Sequence, residues 1–234
     1  MCDTTSSALP RAVISRSALA AAAETAVKAG GRTADLRRDA WGHGILAVAP
    51  AVSAAGAERV LVDSDGEVAV LRAEGIAAVT SGEPDIDPAL LYGLPDETGA
   101  LTTRPVMRFA GAVMSTKPLR PGDAVSYGYT YRAARDTTVA LVTGGYAQGI
   151  VRALGNQAHV DVAGRSLPIV GRVAMDVCMI DLEGDDVELG ADVTYFGGRG
   201  TAAAGLALWA AATGMTIPEL VTVAGSHGAR GWEA

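Results

Sequence analysis

A strand–helix rhythm opens this chain and stops after about a hundred residues, and that interruption limits the fold more than any other feature. Strands are predicted over residues 12–15 (AVIS), 33–37, 59–62 and 76–80. Between them come an alanine-rich helix capped by Ser17 and running to about residue 29, a helix over 44–56 that breaks or bends near Pro50, and a helix over 65–75. Such alternation implies a parallel sheet with right-handed crossovers. A closed eight-stranded barrel of this type needs roughly 250 residues, so any barrel here has to be cut short.

Residues 83–95 (EPDIDPALLYGLP) and 96–103 are rich in proline, glycine and acidic residues and read as a boundary. After Pro105 the pattern changes to short alternating strands separated by turn signals. The clearest is HVDV (159–162), a turn at Ala163-Gly164, then LPIV (167–170), a hairpin. Strands over 177–182 and 193–196 continue it, and helices over 202–213 and 217–224 follow. The expected fold class is α+β. A truncated, partial TIM-barrel-like βα domain (residues 1–104) precedes an antiparallel β-domain with terminal helices (105–234).

A net charge of −7, a pI near 4.9 and the lack of any basic block argue against nucleic-acid or anionic-membrane partners. Cys2 and Cys178 make no disulfide framework, and the start MCDTTSSALPR lacks the basic opening of a secretory signal, so a reduced cytoplasmic protein is expected. Residues 201–218 have the length of a membrane span, but alanine, glycine and threonine dominate them, which suits a buried helix. His43, His159 and His227 are scattered and no cysteine stands near them at ligand spacing, so no metal is expected. Lys28 and Lys117 are the only lysines, which leaves two candidates for any reactive amine.

Two groups of residues stand out as candidates for chemistry. DLRRDAWGHG (35–44) reads as a strand end breaking into a glycine turn, where α/β enzymes keep reactive groups. Arg37 and Arg38 there either form an anion site or, for Arg37, pair with Asp35, Asp39 or a carboxylate of EPDIDP. The β-domain carries SYGYTY (126–131), GGYAQG (144–149), RALGN (152–156) and PIVGRVAMD (168–176). On composition alone these are strand tyrosines and bend glycines.

The order and spacing of these blocks resemble the C-terminal domain of the alanine racemase family, over essentially all of residues 105–225 and including LWAAATGMTIPELV. The first half resembles the same family through LRRDAWGHG, LRAEGI and ALLYGLP, with the middle barrel strands missing between about residues 81 and 88. The resemblance implies a pyridoxal-phosphate enzyme whose barrel lysine binds the cofactor and acts as an acid/base. At that position this chain has Arg37, and Trp41 replaces the family's tyrosine. A guanidinium stays protonated and is neither nucleophile nor base. The approach to ALLYGLP, where the family keeps a cofactor-binding arginine, reads PDIDP. Tyr127 matches the second acid/base, which reaches into the neighbouring subunit, and Tyr146 and Met175 match residues at the active-site mouth. Gln148 replaces the aspartate of the family's Tyr-Ala-Asp-Gly motif.

The resulting expectation is a head-to-tail homodimer without bound pyridoxal phosphate, acting as a binding or accessory protein. Three rivals stay open: a racemase using Lys28 or Lys117, a partner of a full-length racemase offering Tyr127 and Met175 in trans, and an anion or amino-acid sensor using Arg37 and Arg38.

Overall fold

The structure is a computed structural model that describes residues 9–234, so Cys2 and the N-terminal MCDTTSSA fall outside the described residues. The first half runs β1 (Arg11–Ser15), α1 (Arg16–Lys28), β2 (Thr33–Asp35), α2 (Arg37–Trp41), α3 (Ile45–Ala54), β3 (Arg59–Leu61), α4 (Asp65–Ala73), β4 (Ala78–Val79) and α5 (Pro88–Tyr92). Ser15, rather than the predicted Ser17, caps α1 by accepting the Ala18 N–H at 3.4 Å. The Ser17 hydroxyl instead accepts from the Arg104 guanidinium at 3.0 Å. Ala18, Ala22, Ala23 and Ala26 make the buried face of α1, where small side chains allow close helix packing. α3 runs unbroken through Pro50. The carbonyl that the proline leaves unpaired belongs to Leu46, whose side is exposed, so water can satisfy it. A reciprocal Ser64–Glu67 capping box starts α4.

β2, β3 and β4 form a parallel three-stranded sheet, with Thr33 opposite Arg59 and Val60 opposite Ala78. On one face Ala34, Val60, Val62 and Ala78 join the core. On the other, Arg59 Nε donates to Thr33 Oγ1 at 3.0 Å. The outer edge of β2 is closed by residues 85 and 86. The Asp85 and Ile86 N–H groups donate to the Thr33 carbonyl at 3.0 and 3.1 Å, and the Asp85 carboxylate accepts the Arg32 and Thr33 N–H groups, both at 2.7 Å.

The second half runs β5 (Met107–Leu119), β6 (Ala124–Val125), β7 (Tyr131–Arg132), β8 (Thr137–Thr143), β9 (His159–Val162), β10 (Arg165–Val170), β11 (Val177–Asp181), β12 (Asp192–Gly197), α6 (Gly205–Thr213), α7 (Ile217–His227) and β13 (Ala229–Glu233). Strands β5, β8, β11, β10, β9 and β12 follow one another in the large sheet, and β12 pairs back onto β5, closing a small antiparallel barrel. Lys117 lies within β5 opposite Val139, and not in the turn expected ahead of Pro118.

β1 belongs to this large sheet, antiparallel to β5 and parallel to β13, a terminal strand that the sequence pattern did not suggest. The two halves therefore share one core, which includes Ile14, Val48, Phe109, Tyr195 and Trp209. Phe196 links its aromatic part, stacking on Phe109 at 5.4 Å and meeting Trp209 edge-on at 5.2 Å. Among the described residues no single helix is long and apolar enough to cross a membrane; α6 and α7 reach that length only together, across a 110° bend.

Closing the β2 edge with one carboxylate makes a test. Asp85→Ala is expected to lower the melting temperature by a few degrees, because two N–H groups lose their acceptor. Asp85→Asn should recover much of the loss, since an amide oxygen can still accept both.

Candidate functional site

At the end of β2 the chain turns left-handed. Arg38, Asp39, Ala40 and Trp41 all have φ between 53° and 55°, and Gly42 follows at 78°. This is why β2 stops at Asp35 and does not reach residue 37 as expected. Left-handed backbone costs about 1–2 kcal/mol per non-glycine residue, so the turn has to be held by other contacts. The Asp63 carboxylate accepts the Arg38 N–H at 2.5 Å. Asp39 accepts the Ile45 N–H at 2.7 Å, starting α3, and its other oxygen accepts from Arg230 of β13 at 2.6 Å. Gly42 packs directly on Gly225 of α7, where a Cβ would lie 2.8 Å from the Gly225 Cα.

Arg37 is held by Asp35. Its Nε and one terminal nitrogen reach the two carboxylate oxygens at 2.8 and 2.7 Å, and its backbone N–H adds a third bond at 3.1 Å. Burial alone would raise the Asp35 pKa, but the Arg37 hydrogen bonds and charge outweigh it and hold the carboxyl below its ordinary value. The same pairing raises the Arg37 pKa further. Of the two readings of this arginine, the structure contains the ion pair with Asp35. The side chain of Arg38 makes no hydrogen bond or ion pair among the described residues, and the two arginines do not converge on a common partner.

Behind the turn sits His43, part of the DLRRDAWGHG segment but given no role by the sequence. It is fully buried and stacks on Tyr92 at 4.4 Å, while Tyr92 donates to the Asp35 carbonyl at 2.9 Å. Its Nδ1 faces the Ala40 and Trp41 carbonyls at 3.1 and 3.2 Å, so the proton sits there, and Nε2 has no partner among the described residues. Burial pushes the His43 pKa down to about 4. Among the described residues no group of three or more His, Cys, Asp or Glu side chains could hold a metal ion.

The β-domain candidates lie elsewhere. Tyr127 is 72% exposed and lines a cleft of about 470 Å³ with Tyr129, Arg172 and Met179. Arg172, which stands inside PIVGRVAMD and was not among the expected site residues, lays its guanidinium against Gly128. Tyr146 and Ala147 donate backbone N–H groups to the Ala174 and Met175 carbonyls, both at 3.0 Å, so Tyr146, Gln148 and Met175 form one corner. Gln148 is buried, accepting the Gly145 N–H at 3.0 Å and donating to Asp176 at 2.9 Å. Arg152 lies 4.8 Å over the Tyr146 ring. No hydrogen bond or ion pair among the described residues joins this group to Arg37 or Arg38. Cys178, beneath the cleft, is buried against the Tyr195 hydroxyl, and burial raises its thiol pKa to about 12, which keeps it unreactive.

His43 and Asp35 give the fold two separate acid limits. Between pH 6.5 and about 4 the unfolded His43 binds a proton that the folded one refuses, so stability falls as pH drops through that window, by on the order of 3 kcal/mol. Asp35, with its folded pKa lowered, contributes stability that is present above its unfolded value of 3.8 and is lost as pH falls further. Urea midpoints followed across both windows should decline in two stages. His43→Phe should remove the first and leave the second.

The sequence model described as "Alanine racemase, C-terminal domain" matches residues 106–231. Alanine racemases of Mycolicibacterium vanbaalenii and Chlorobaculum tepidum are 45% and 42% identical to this chain over 103 and 123 residues. Those matches cover 43% and 51% of this chain but only 26% and 32% of the relatives, so the shared sequence spans about a third of their length or less. Among solved structures, the alanine racemase from Streptomyces coelicolor A3(2) superposes with a TM-score of 0.79 at 22% identity, in an alignment spanning 98% of this chain and 99% of that one. The E. faecalis alanine racemase gives 0.78 at 18%, spanning 96% and 98%. At such identities the structural likeness speaks for the fold alone. The sequence match runs through more than half of the chain, and on that ground the chain belongs to the alanine racemase family.

Proposed function

We propose that this chain is a family member that has given up pyridoxal-dependent racemisation and acts as a dimeric binding or accessory protein. The observation that carries this reading is Arg37, standing where the family has its lysine and locked by two hydrogen bonds to Asp35. The remaining residues suit pyridoxal phosphate poorly. Lys28 is exposed on α1 and paired with Glu24 at 3.3 Å, and Lys117 is exposed within β5. Ahead of ALLYGLP, where an anionic cofactor calls for donors, Asp85 is committed to the β2 edge and Asp87 to the Ala89 N–H at 2.8 Å. The sensor reading loses support as well, since an Arg37 guanidinium held by a carboxylate has less to offer a ligand anion.

The groups the family offers across its dimer stay on the surface. Tyr127, Tyr146 and Met175 are 72%, 39% and 55% exposed, favourably placed for a second chain. A second copy packed head-to-tail is the preferred partner. The same exposure supports a second reading, docking onto a full-length racemase.

Intact-mass analysis after incubation with pyridoxal phosphate and borohydride tests the proposal. No adduct is expected in the wild type. A single-site adduct that disappears in a Lys28/Lys117 double variant would restore the enzyme reading. Arg37→Lys reports on the pocket itself: an adduct confined to that variant would mean that the cavity persists around one silenced position. Sedimentation of the purified chain is expected to give a dimer that Tyr127→Ala with Met175→Ala weakens about tenfold.

A further inference from the structure

Where the two halves meet, the fold encloses a small internal cavity. His43 and Tyr92 line it from the first half, Met107 and Phe196 from β5 and β12, and Leu206 and Val221 from α6 and α7. Every residue around it is buried except Ala203. Its volume is about 10 Å³, on the scale of the ~10–15 Å³ that one water molecule requires and too small for an organic ligand.

The hydrogen bonding around this space is one-sided. His43 is fully buried, and its Nε2 meets no partner among the described residues. With the proton on Nδ1, facing the Ala40 and Trp41 carbonyls at 3.1 and 3.2 Å, Nε2 can only accept. Stacking on Tyr92 at 4.4 Å holds the ring in place. Gly93, Leu94 and Pro95 line the same cavity, and their carbonyls accept no hydrogen bond among the described residues. No side chain of the lining is free to donate. The one hydroxyl, that of Tyr92, is committed to the Asp35 carbonyl at 2.9 Å, and the other side chains apart from His43 are apolar. A cavity with purely apolar walls stays dry, whereas a buried acceptor without a donor is costly. The space therefore suits a molecule the size of water that donates twice.

We propose that a single water molecule is bound in this cavity, donating one proton to His43 Nε2 and the other to a main-chain carbonyl of residues 93–95. It ties the left-handed turn to the segment leaving α5 and holds the His43 ring in one tautomer. This does not depend on the reading of Arg37 or of the tyrosine cleft.

Water–protein NMR on the full chain is the test. Cross-relaxation peaks with the sign of a long-lived contact are expected between water and both His43 Hε1 and the Met107 methyl group. The His43 Nε2 nitrogen shift should be that of an unprotonated, hydrogen-bonded acceptor. His43→Phe removes the acceptor and should abolish the peak at Met107. The proposal is overturned if the folded wild type gives no such peaks, if Nε2 carries the proton, or if the Met107 peak persists in His43→Phe. Should that variant fail to fold, the wild-type peaks and the Nε2 shift decide the matter alone.

Discussion

A parallel sheet of three strands leaves raw hydrogen-bonding edges and a face that a closed barrel would bury, and the rest of this chain is arranged around that constraint. At β2 the edge is met by Asp85 and Ile86 with one carboxylate and two backbone N–H groups. On the inner face, where complete barrels stack apolar layers, Asp35 is set against Arg37 and Arg59 against Thr33, within the field of Asp63 and Glu83. Thr33, Asp35 and Leu61 are buried on this face, and the bonds from Arg37 and Arg59 satisfy its polar groups. At the far side β4 is only two residues long and presents little edge for another strand to join.

Much of this architecture was legible in the sequence, because local signals set it. The expected helix spans coincide with α1, α4 and α7, although Ser15 and not Ser17 caps α1, and alternation with an Ala163-Gly164 turn marked the β9–β10 hairpin. What escaped depends on partners far away in the chain. A short apolar run such as AVIS reads as a strand but says nothing of which sheet it joins, and β1 joins the second half. β13, with the sequence ARGWE, has no alternation to betray it. Nor does RRDAW announce four left-handed residues, since none of them is glycine or asparagine; the clamps are Asp63 and Arg230. The Arg37–Asp35 pair was among the alternatives, beside Asp39 and a carboxylate of EPDIDP. The stacking of His43 on Tyr92 had no such local sign.

On the proposed reading, Arg37 separates the family's fold from its chemistry. Replacing a reactive amine by a guanidinium removes a nucleophile yet leaves a cation, and Asp35 satisfies it. The strained turn beside it survives because it also carries structural loads: Asp39 starts α3 and anchors β13, and Gly42 lets α7 approach. On that reading, the turn is kept by the contacts it makes with α3, α7 and β13 whatever becomes of its chemistry.

The place of β1 has a consequence for how the molecule is made. Synthesis delivers β1 long before β5, and β13, its parallel neighbour, later still. Until then an apolar strand has only the helices of the unfinished first half for cover, and α1 follows it without a pause. Long-range pairings of this kind are slow to close and leave hydrophobic edges open to other chains in the interval. The two halves mature together, and the first cannot be completed on the ribosome before the second has emerged.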